Sequence, residues 1–395
     1  KLLPRFLIVS NMELADPRPI IAGNERVVRP RLEDARFFYQ QDRRLRLEAR
    51  VPQLAKVIYH HKLGSQLERV ERIQLATGII ARALKADALQ AERAAWLSKA
   101  DLLTGMVGEF PELQGVMGRY YALHDGEPRA VADAIEAHYR PRFAGDRLPE
   151  GEIACAVALA DKLDALAGLF GVGQQPTGEK DPFGLRRSAL GVIRILVERR
   201  LALSLQDLVN EAFAGYSRKI GDARTDVQTF VLDRFAGYLK DQGYSTLQVE
   251  SVLSQNPVRL DLVPQQLEAV KAFQALPEAQ SLAAANKRVV NILKQAGAKG
   301  ESYAGAEPEH LKEPAERALF EALQKASLQA SRLFDSGDYS GYLKTFAVLK
   351  SPVDAFFDSV MVMAKEPELR QNRLALLADL RKQMNRVADI SKLAQ

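Results

Sequence analysis

Ile153-Ala-Cys-Ala-Val-Ala-Leu-Ala-Asp-Lys-Leu-Asp-Ala-Leu-Ala-Gly-Leu-Phe-Gly-Val172 is the longest stretch in the chain that could be tested as a membrane span. Asp161, Lys162 and Asp164 interrupt it, and such groups are costly inside a bilayer. It reads instead as a core helix over Glu152–Phe170. The same signal extends outward. From about Leu32 onward apolar residues return every three or four positions, Ala and Leu are abundant, and strand alternation is scarce. A chain of 395 residues exceeds what one hydrophobic core usually organises, so the expected fold is mainly α and multidomain.

Composition narrows the function. Hydrophobic residues at 47% and charged residues at 27% exclude a disordered chain. The single cysteine, Cys155, excludes a disulfide framework and any zinc site built on cysteine pairs, and it fits a reducing cytoplasm. Inside an apolar helix its thiol reads as inert packing. No charged-then-apolar signal peptide opens the chain, and its start at Lys1 rather than Met fits a piece of something longer. A net charge of +5 is a mild basic bias, compatible with a nucleic-acid partner. No Walker or Rossmann phosphate loop and no Gly-x-Ser-x-Gly elbow is present. Gly168-Leu-Phe-Gly-Val-Gly follows a helix, not a strand, and reads as a helix end and loop.

Four blocks follow from the punctuation. Residues 1–45 read as the end of a strand-bearing domain, because Arg5-Phe-Leu-Ile-Val-Ser-Asn-Met-Glu is a short apolar run closing in polar residues. A helix then starts near Ile20 and is expected to break at Arg29-Pro30. Residues 46–175 hold helices over Pro52–Leu84, Ala91–Gly108 and Glu152–Phe170. The Gly/Pro-rich stretch from Gly171 to Pro182 is the clearest boundary, opening a helical middle region over 176–275. Residues 276–395 form the last block, with a loop at Gly297–Pro308 and a helix–helix turn at Asp335-Ser-Gly-Asp-Tyr. Its final helix carries Leu377, Leu380, Met384, Val387 and Ile390 on one stripe.

Chemistry-bearing residues gather in the second block. His60 and His61 are expected on one helix, Asp101 near the start of the next, and Asp161 in the core helix. This order resembles the HD phosphohydrolase superfamily, an all-helical fold whose members bind a metal with a His, a His-Asp doublet and a distant Asp. Here the doublet segment reads Ser98-Lys99-Ala100-Asp101. Ala100 donates no lone pair, and Lys99 adds positive charge that opposes a divalent cation. The expectation is a degenerate HD-like domain without a metal. A literal His124-Asp125 precedes Gly126 and reads as a helix-end turn.

Longer stretches are more specific. Asn24-Glu-Arg-Val-Val-Arg-Pro-Arg-Leu-Glu-Asp-Ala-Arg-Phe-Phe is one, and Lys99-Ala-Asp-Leu-Leu-Thr-Gly-Met-Val-Gly-Glu-Phe-Pro-Glu-Leu-Gln-Gly-Val-Met-Gly-Arg-Tyr-Tyr-Ala is another. With Tyr139-Arg-Pro-Arg-Phe-Ala-Gly-Asp and Gly178-Glu-Lys-Asp-Pro-Phe-Gly-Leu-Arg-Arg, they resemble the beta subunits of bacterial glycyl-tRNA synthetases. Pro352-Val-Asp-Ala-Phe-Phe-Asp-Ser-Val-Met-Val-Met resembles the helical, DALR-like anticodon-binding domain shared with arginyl-tRNA synthetases. The resemblance implies a heteromeric cytoplasmic glycine–tRNA ligase. Its beta subunit holds tRNA-Gly while a separate alpha subunit, with ATP and Mg, activates glycine. It implies no cofactor in this chain, no catalytic residue in it and no membrane. The alternatives are a metal-dependent HD-type phosphohydrolase and a purely structural scaffold for the partner subunit.

RNA binding requires cations for phosphates and planar or hydrogen-bonding groups for bases. Residues 276–395 hold 17 Lys+Arg against 15 Asp+Glu, so a binding surface must come from segregated charge. Lys287, Asn291 and Lys294, with Arg288 beside them, share a helix face by spacing. Arg370, Asn372 and Arg373 sit at a helix start, where an amide can read a base edge and free N–H groups favour phosphate. Each cluster also reads as a solvated helix face. Arg186 and Arg187 could contact tRNA or the alpha subunit, or form a salt bridge to Asp181 or Glu179. Phe356 and Phe357 are expected in the core.

Overall fold

The computed structural model describes all residues except 1, 2, 4, 14, 217–219, 299–304 and 395. Helices α1 (Arg18–Asp42) and α2 (Leu47–Arg50) lead to a hairpin of β1 (Ile58–His60) and β2 (Gly64–Ser65). Next come α3 (Gln66–Ala83), α4 (Ala88–Leu97), α5 (Gly105–Glu109), α6 (Val116–His124), α7 (Arg129–Ala137) and α8 (Glu152–Gly171). The middle holds α9 (Leu185–Glu198), α10 (Leu205–Ala214), α11 (Arg224–Asp241), α12 (Thr246–Leu253) and α13 (Val263–Gln274). The last part holds α14 (Ala279–Ala298), α15 (Pro314–Asp335), α16 (Tyr339–Thr345), α17 (Lys350–Ser359) and α18 (Pro367–Met384). Among the described residues no helix is long and apolar enough to cross a membrane.

The core helix forms as its sequence predicts, and α8 is buried on every side from Ala154 to Phe170. Helices α3, α4, α7, α9, α10 and α11 pack around it, which is why it needs no polar face. Packing of α9 and α10 on α8 carries the core past the Gly171–Pro182 stretch. Gly168 lies where α8 meets Tyr216, and a Cβ there would collide with the phenol oxygen. In the C-terminal part α16 packs on α13, and a final 3-10 turn, Ile390–Leu393, packs on α12 and α14. The Asp389 N–H donates to the Ser251 carbonyl at 2.7 Å, closing that seam.

Local chemistry moves several boundaries. Arg5–Glu13 forms no strand: the described residues offer it no partner ladder, and Leu7 and Val9 stay fully exposed. Helix α1 runs through Pro30, because its exposed surface lets water take the carbonyl freed by the ring. The predicted helix over Pro52–Leu84 is instead a 3-10 turn, the β1–β2 hairpin and α3. Gly64, at φ +94°, allows the hairpin turn, and Ser65 with Glu68 forms a capping box that delays the helix to Gln66. Ala91–Gly108 divides at Thr104, whose side chain caps α5. The last helix ends at Met384, although its whole apolar stripe is buried. The loop expected at Gly297–Pro308 falls largely on 299–304, outside the described residues. The His124-Asp125 turn forms, and the Asp125 carboxylate accepts the Leu47 N–H at 2.7 Å.

Helix α1 is anchored at its C-terminal end. The buried Asp42 carboxylate accepts the Gly105 and Met106 N–H groups, both at 2.9 Å, and the Tyr121 hydroxyl at 3.0 Å. Asp42→Ala removes both acceptor oxygens and leaves three donors without them, and we expect stability to fall by about 2 kcal/mol, since buried donors are left unpaired. Asp42→Asn, which keeps one acceptor oxygen, should lose less. The denaturant midpoint at constant slope measures both.

Candidate functional site: a buried charge cluster and an exposed basic helix face

Asp161, Lys162 and Asp164 place three ionisable groups in the buried wall of α8. Their partners come from three other elements. Arg69 and Arg72, one turn apart on α3, face Asp161 and Asp164, one turn apart on α8. Arg69 Nη2 donates to Asp161 Oδ1 at 3.0 Å, and its Nε lies 3.3 Å from Asp164 Oδ2. Arg72 Nε donates to Asp164 Oδ1 at 2.7 Å, and its Nη2 donates to the Tyr216 hydroxyl at 3.1 Å. The two guanidinium groups also lie over the rings of Tyr59 and Tyr216, at 4.2 and 4.0 Å.

Lys99, in the turn after α4, completes the cluster. Its ammonium lies 2.9 Å from Asp161 Oδ1, 2.7 Å from His138 Nε2 and 4.1 Å from the centre of the Tyr139 ring. His138 Nδ1 lies 2.6 Å from the Ile135 carbonyl, so it carries the proton and Nε2 accepts from Lys99. Lys162 Nζ donates to the His138 carbonyl at 3.0 Å. Asp101 Oδ2 accepts the N–H groups of Gly115 at 2.6 Å and Gly118 at 3.0 Å, while Oδ1 has no hydrogen-bond partner among the described residues.

Burial sets the titration of this cluster. It pushes the Lys99 and Lys162 ammonium groups down to about 8, against the pull of Asp161. It pushes the Asp101 carboxyl up to about 6, although the two glycine N–H groups oppose this. The His138 imidazole falls well below its ordinary value through burial and the Lys99 charge. Burial alone would raise the Asp161 carboxyl, but Lys99 and Arg69 outweigh it and hold the group far below the usual carboxylate range.

These positions do not suit the metal that an HD-type site requires. His60 lies on β1, not a helix, and its ring meets the edge of Phe183 at 5.9 Å. His61 is exposed in the hairpin turn, and Ala100 is fully buried among apolar groups. Asp161 Oδ1 and His138 Nε2 both face Lys99, and Arg69 shares the same Asp161 oxygen. Among the described residues no group of three or more His, Cys, Asp or Glu is placed to hold a metal ion. Sequence reading missed His138, Arg69 and Arg72. The matched spacing of the arginine and aspartate pairs was a readable signal for the last two, whereas nothing local marks His138.

The candidate RNA contacts divide. Lys287, Arg288, Asn291 and Lys294 are all exposed on α14, and the Arg288 guanidinium lies 4.3 Å from the centre of the Phe357 ring. Phe356 is fully buried, as expected, but Phe357 is half-buried beneath that guanidinium. The second cluster is structural. Asn372 is 7% exposed, accepts the Glu307 N–H at 2.7 Å and donates back to the Glu307 carbonyl at 3.1 Å. Arg373 is 5% exposed, pairs with the fully buried Glu316 and donates to the Met361 carbonyl at 2.8 Å. Arg370 is half-buried and donates to the Ala364 carbonyl at 3.0 Å. Neither Asn372 nor Arg373 can reach an RNA from this position. Arg186 donates to the Gly178 carbonyl, and Asp181 accepts the N–H groups of Leu185 and Arg186, so the aspartate caps α9. Arg187 is exposed and makes no ion pair among the described residues.

The family model described as glycyl-tRNA synthetase beta subunit matches residues 1–254, more than half of the chain. The model described as DALR anticodon binding domain matches residues 282–391. Among curated proteins, the glycine–tRNA ligase beta subunit of Thiobacillus denitrificans is 60% identical over 397 residues, covering 100% of this chain and 56% of its own length. That of Paracidovorax citrulli is 56% identical over 396 residues, again covering 100% and 56%. The chain thus spans a little over half the length of the relatives it matches.

Removing the Lys99 charge with Lys99→Met leaves Arg69 as the one ion-pair partner of Asp161 among the described residues. We expect a stability loss of about 3 kcal/mol, read from denaturant unfolding. Because the Asp161 carboxyl is depressed in the folded state, its contribution is present above the ordinary value of 3.8 and disappears as pH falls below it. The stability advantage of the parent over Asp161→Asn should therefore shrink on acidification through that value. Asn372→Ala should lower stability by about 1–3 kcal/mol, the cost of leaving the Glu307 N–H unpaired.

Proposed function

Since the chain belongs to the glycyl-tRNA synthetase beta subunit family, we propose that it serves as the RNA-handling part of a two-subunit glycine–tRNA ligase, binding tRNA-Gly in the cytoplasm. Glycine activation, with ATP and Mg, belongs in this reading to a separate alpha subunit. The observation that carries the proposal is the α14 face. Lys287, Arg288 and Lys294 project to solvent within the segment that matches the DALR anticodon-binding model, and none is paired to a carboxylate among the described residues. Two lysines and an arginine can neutralise successive phosphates. Phe357 holds the Arg288 guanidinium in place, a planar cation against which an unstacked base can lie.

The HD-like domain acts structurally in this reading. With Lys99 on Asp161 and His138, the metal-dependent phosphohydrolase alternative lacks the ligands its chemistry requires.

Affinity for tRNA-Gly against salt tests the proposal. Lys287→Ala and Lys294→Ala should each weaken binding and lower the salt slope by about one. Unchanged affinity at every salt concentration would remove α14 from the interface. Pyrophosphate exchange with glycine and ATP should be absent from this chain alone.

A further inference from the structure

The stripe that α14 buries carries one polar residue. Leu282, Val289 and Leu293 face inward on it, and Asn286 sits among them at 2% exposure. An amide in such a place needs partners. Asn286 Oδ1 accepts from Asn385 Nδ2 at 3.1 Å. Asn385 closes α18 and is itself 8% exposed. One fixed donor orients both amides. The Ile390 N–H reaches Asn385 Oδ1 at 3.0 Å, which leaves Asn385 Nδ2 to face Asn286. Asn286 Nδ2 then lies 4.0 Å from Met384 Sδ, the reach of a weak bond to sulfur. The pair thus ties α14 to the end of α18 and, through Ile390, to the final 3-10 turn.

Apolar contacts fill space but hold a helix loosely about its own axis, because neighbouring rolls bury similar groups. A single amide pair in an apolar seam accepts one register. On α14 that register decides what reaches solvent. One residue is about 100° of turn, and Lys287 directly follows Asn286. The roll that buries Asn286 is therefore the roll that exposes Lys287, Arg288, Asn291 and Lys294. It also carries the Arg288 guanidinium over the Phe357 ring of α17. Phosphates of a folded RNA stand at set distances, so cations meet several at once only if their own placement is fixed.

We propose that Asn286 and Asn385 are positioning residues for RNA binding. Their amide pair sets the roll of α14, and so makes its cations engage phosphates together. The inference rests on the reading of α14 as an RNA face, and adds to it two residues that do not touch the ligand.

The test sets tRNA-Gly affinity against salt beside the denaturant midpoint, both for the 395-residue chain. Asn286→Leu removes the acceptor of Asn385 Nδ2 and should lower the midpoint modestly. Leu293→Ala opens a cavity in the same stripe, leaves the amide pair in place and should lower the midpoint further. Binding should follow the opposite order. Asn286→Leu should weaken tRNA-Gly by about tenfold, the scale of one lost charge-assisted contact. Its salt slope should fall by about one. Leu293→Ala should keep the parent slope. Asn286→Ala breaks the same bond with a smaller side chain and serves if the leucine does not fold; failure of both to fold makes the pair a folding determinant and overturns the positioning role. Lys287→Ala separates the two levels of the argument. If it weakens binding while the Asn286 variants match the parent in affinity and slope, the α14 reading stands and the positioning role is refuted. If Lys287→Ala is also silent, the α14 reading fails and the proposal falls with it. Loss of slope in Leu293→Ala equal to that in Asn286→Leu assigns the effect to stability alone and likewise overturns the proposal.

Discussion

Asp161 is the constraint around which the N-terminal helices are arranged. A carboxylate in the buried wall of α8 is tolerable only if cations reach it with good geometry. Arg69 arrives from α3 and Lys99 from the turn after α4, while His138, at the end of α7, accepts from the same lysine. One anion thereby fixes the mutual placement of four elements. Asp164 repeats the device one turn further along, through Arg72 and Tyr216. Apolar packing alone would allow α8 to rotate among its neighbours; directed bonds at Asp161 and Asp164 select one rotation.

Lys99 also changes how this region depends on its surroundings. A bound ion stabilises a fold in proportion to its concentration and is withdrawn by a chelator. An ammonium on the chain itself has no such dependence. The cost is entropic, since a long side chain is immobilised, and electrostatic, since burial pushes the charge toward neutrality.

Helices were legible in the sequence wherever periodicity and caps agreed. The α8 helix was read nearly to its ends because a long apolar run with three charges has few other solutions. The β1–β2 hairpin was not legible by period, being only three and two residues long. Ser65 and Glu68 do mark where α3 begins, which is a local signal. The candidate RNA residues show the limit more sharply. On α14 the spacing of 287, 291 and 294 correctly implied a shared exposed face. On α18 the same polar composition hides inward, because Glu316 from α15 and the backbone of Glu307 meet Arg373 and Asn372 there. That pairing is a tertiary fact, and polarity near a helix start does not reveal it. His138 was missed for the same reason.

The bond from Asp389 to Ser251 joins the two segments that match separate family models. Modules linked only by exposed chain rotate freely, and a ligand that engages one must first halt that rotation. Here the final turn fills the seam between α12 and α14. The orientational freedom of α14 is therefore surrendered when the chain folds, and a ligand arriving on that helix meets a surface whose direction is already set relative to the middle of the molecule.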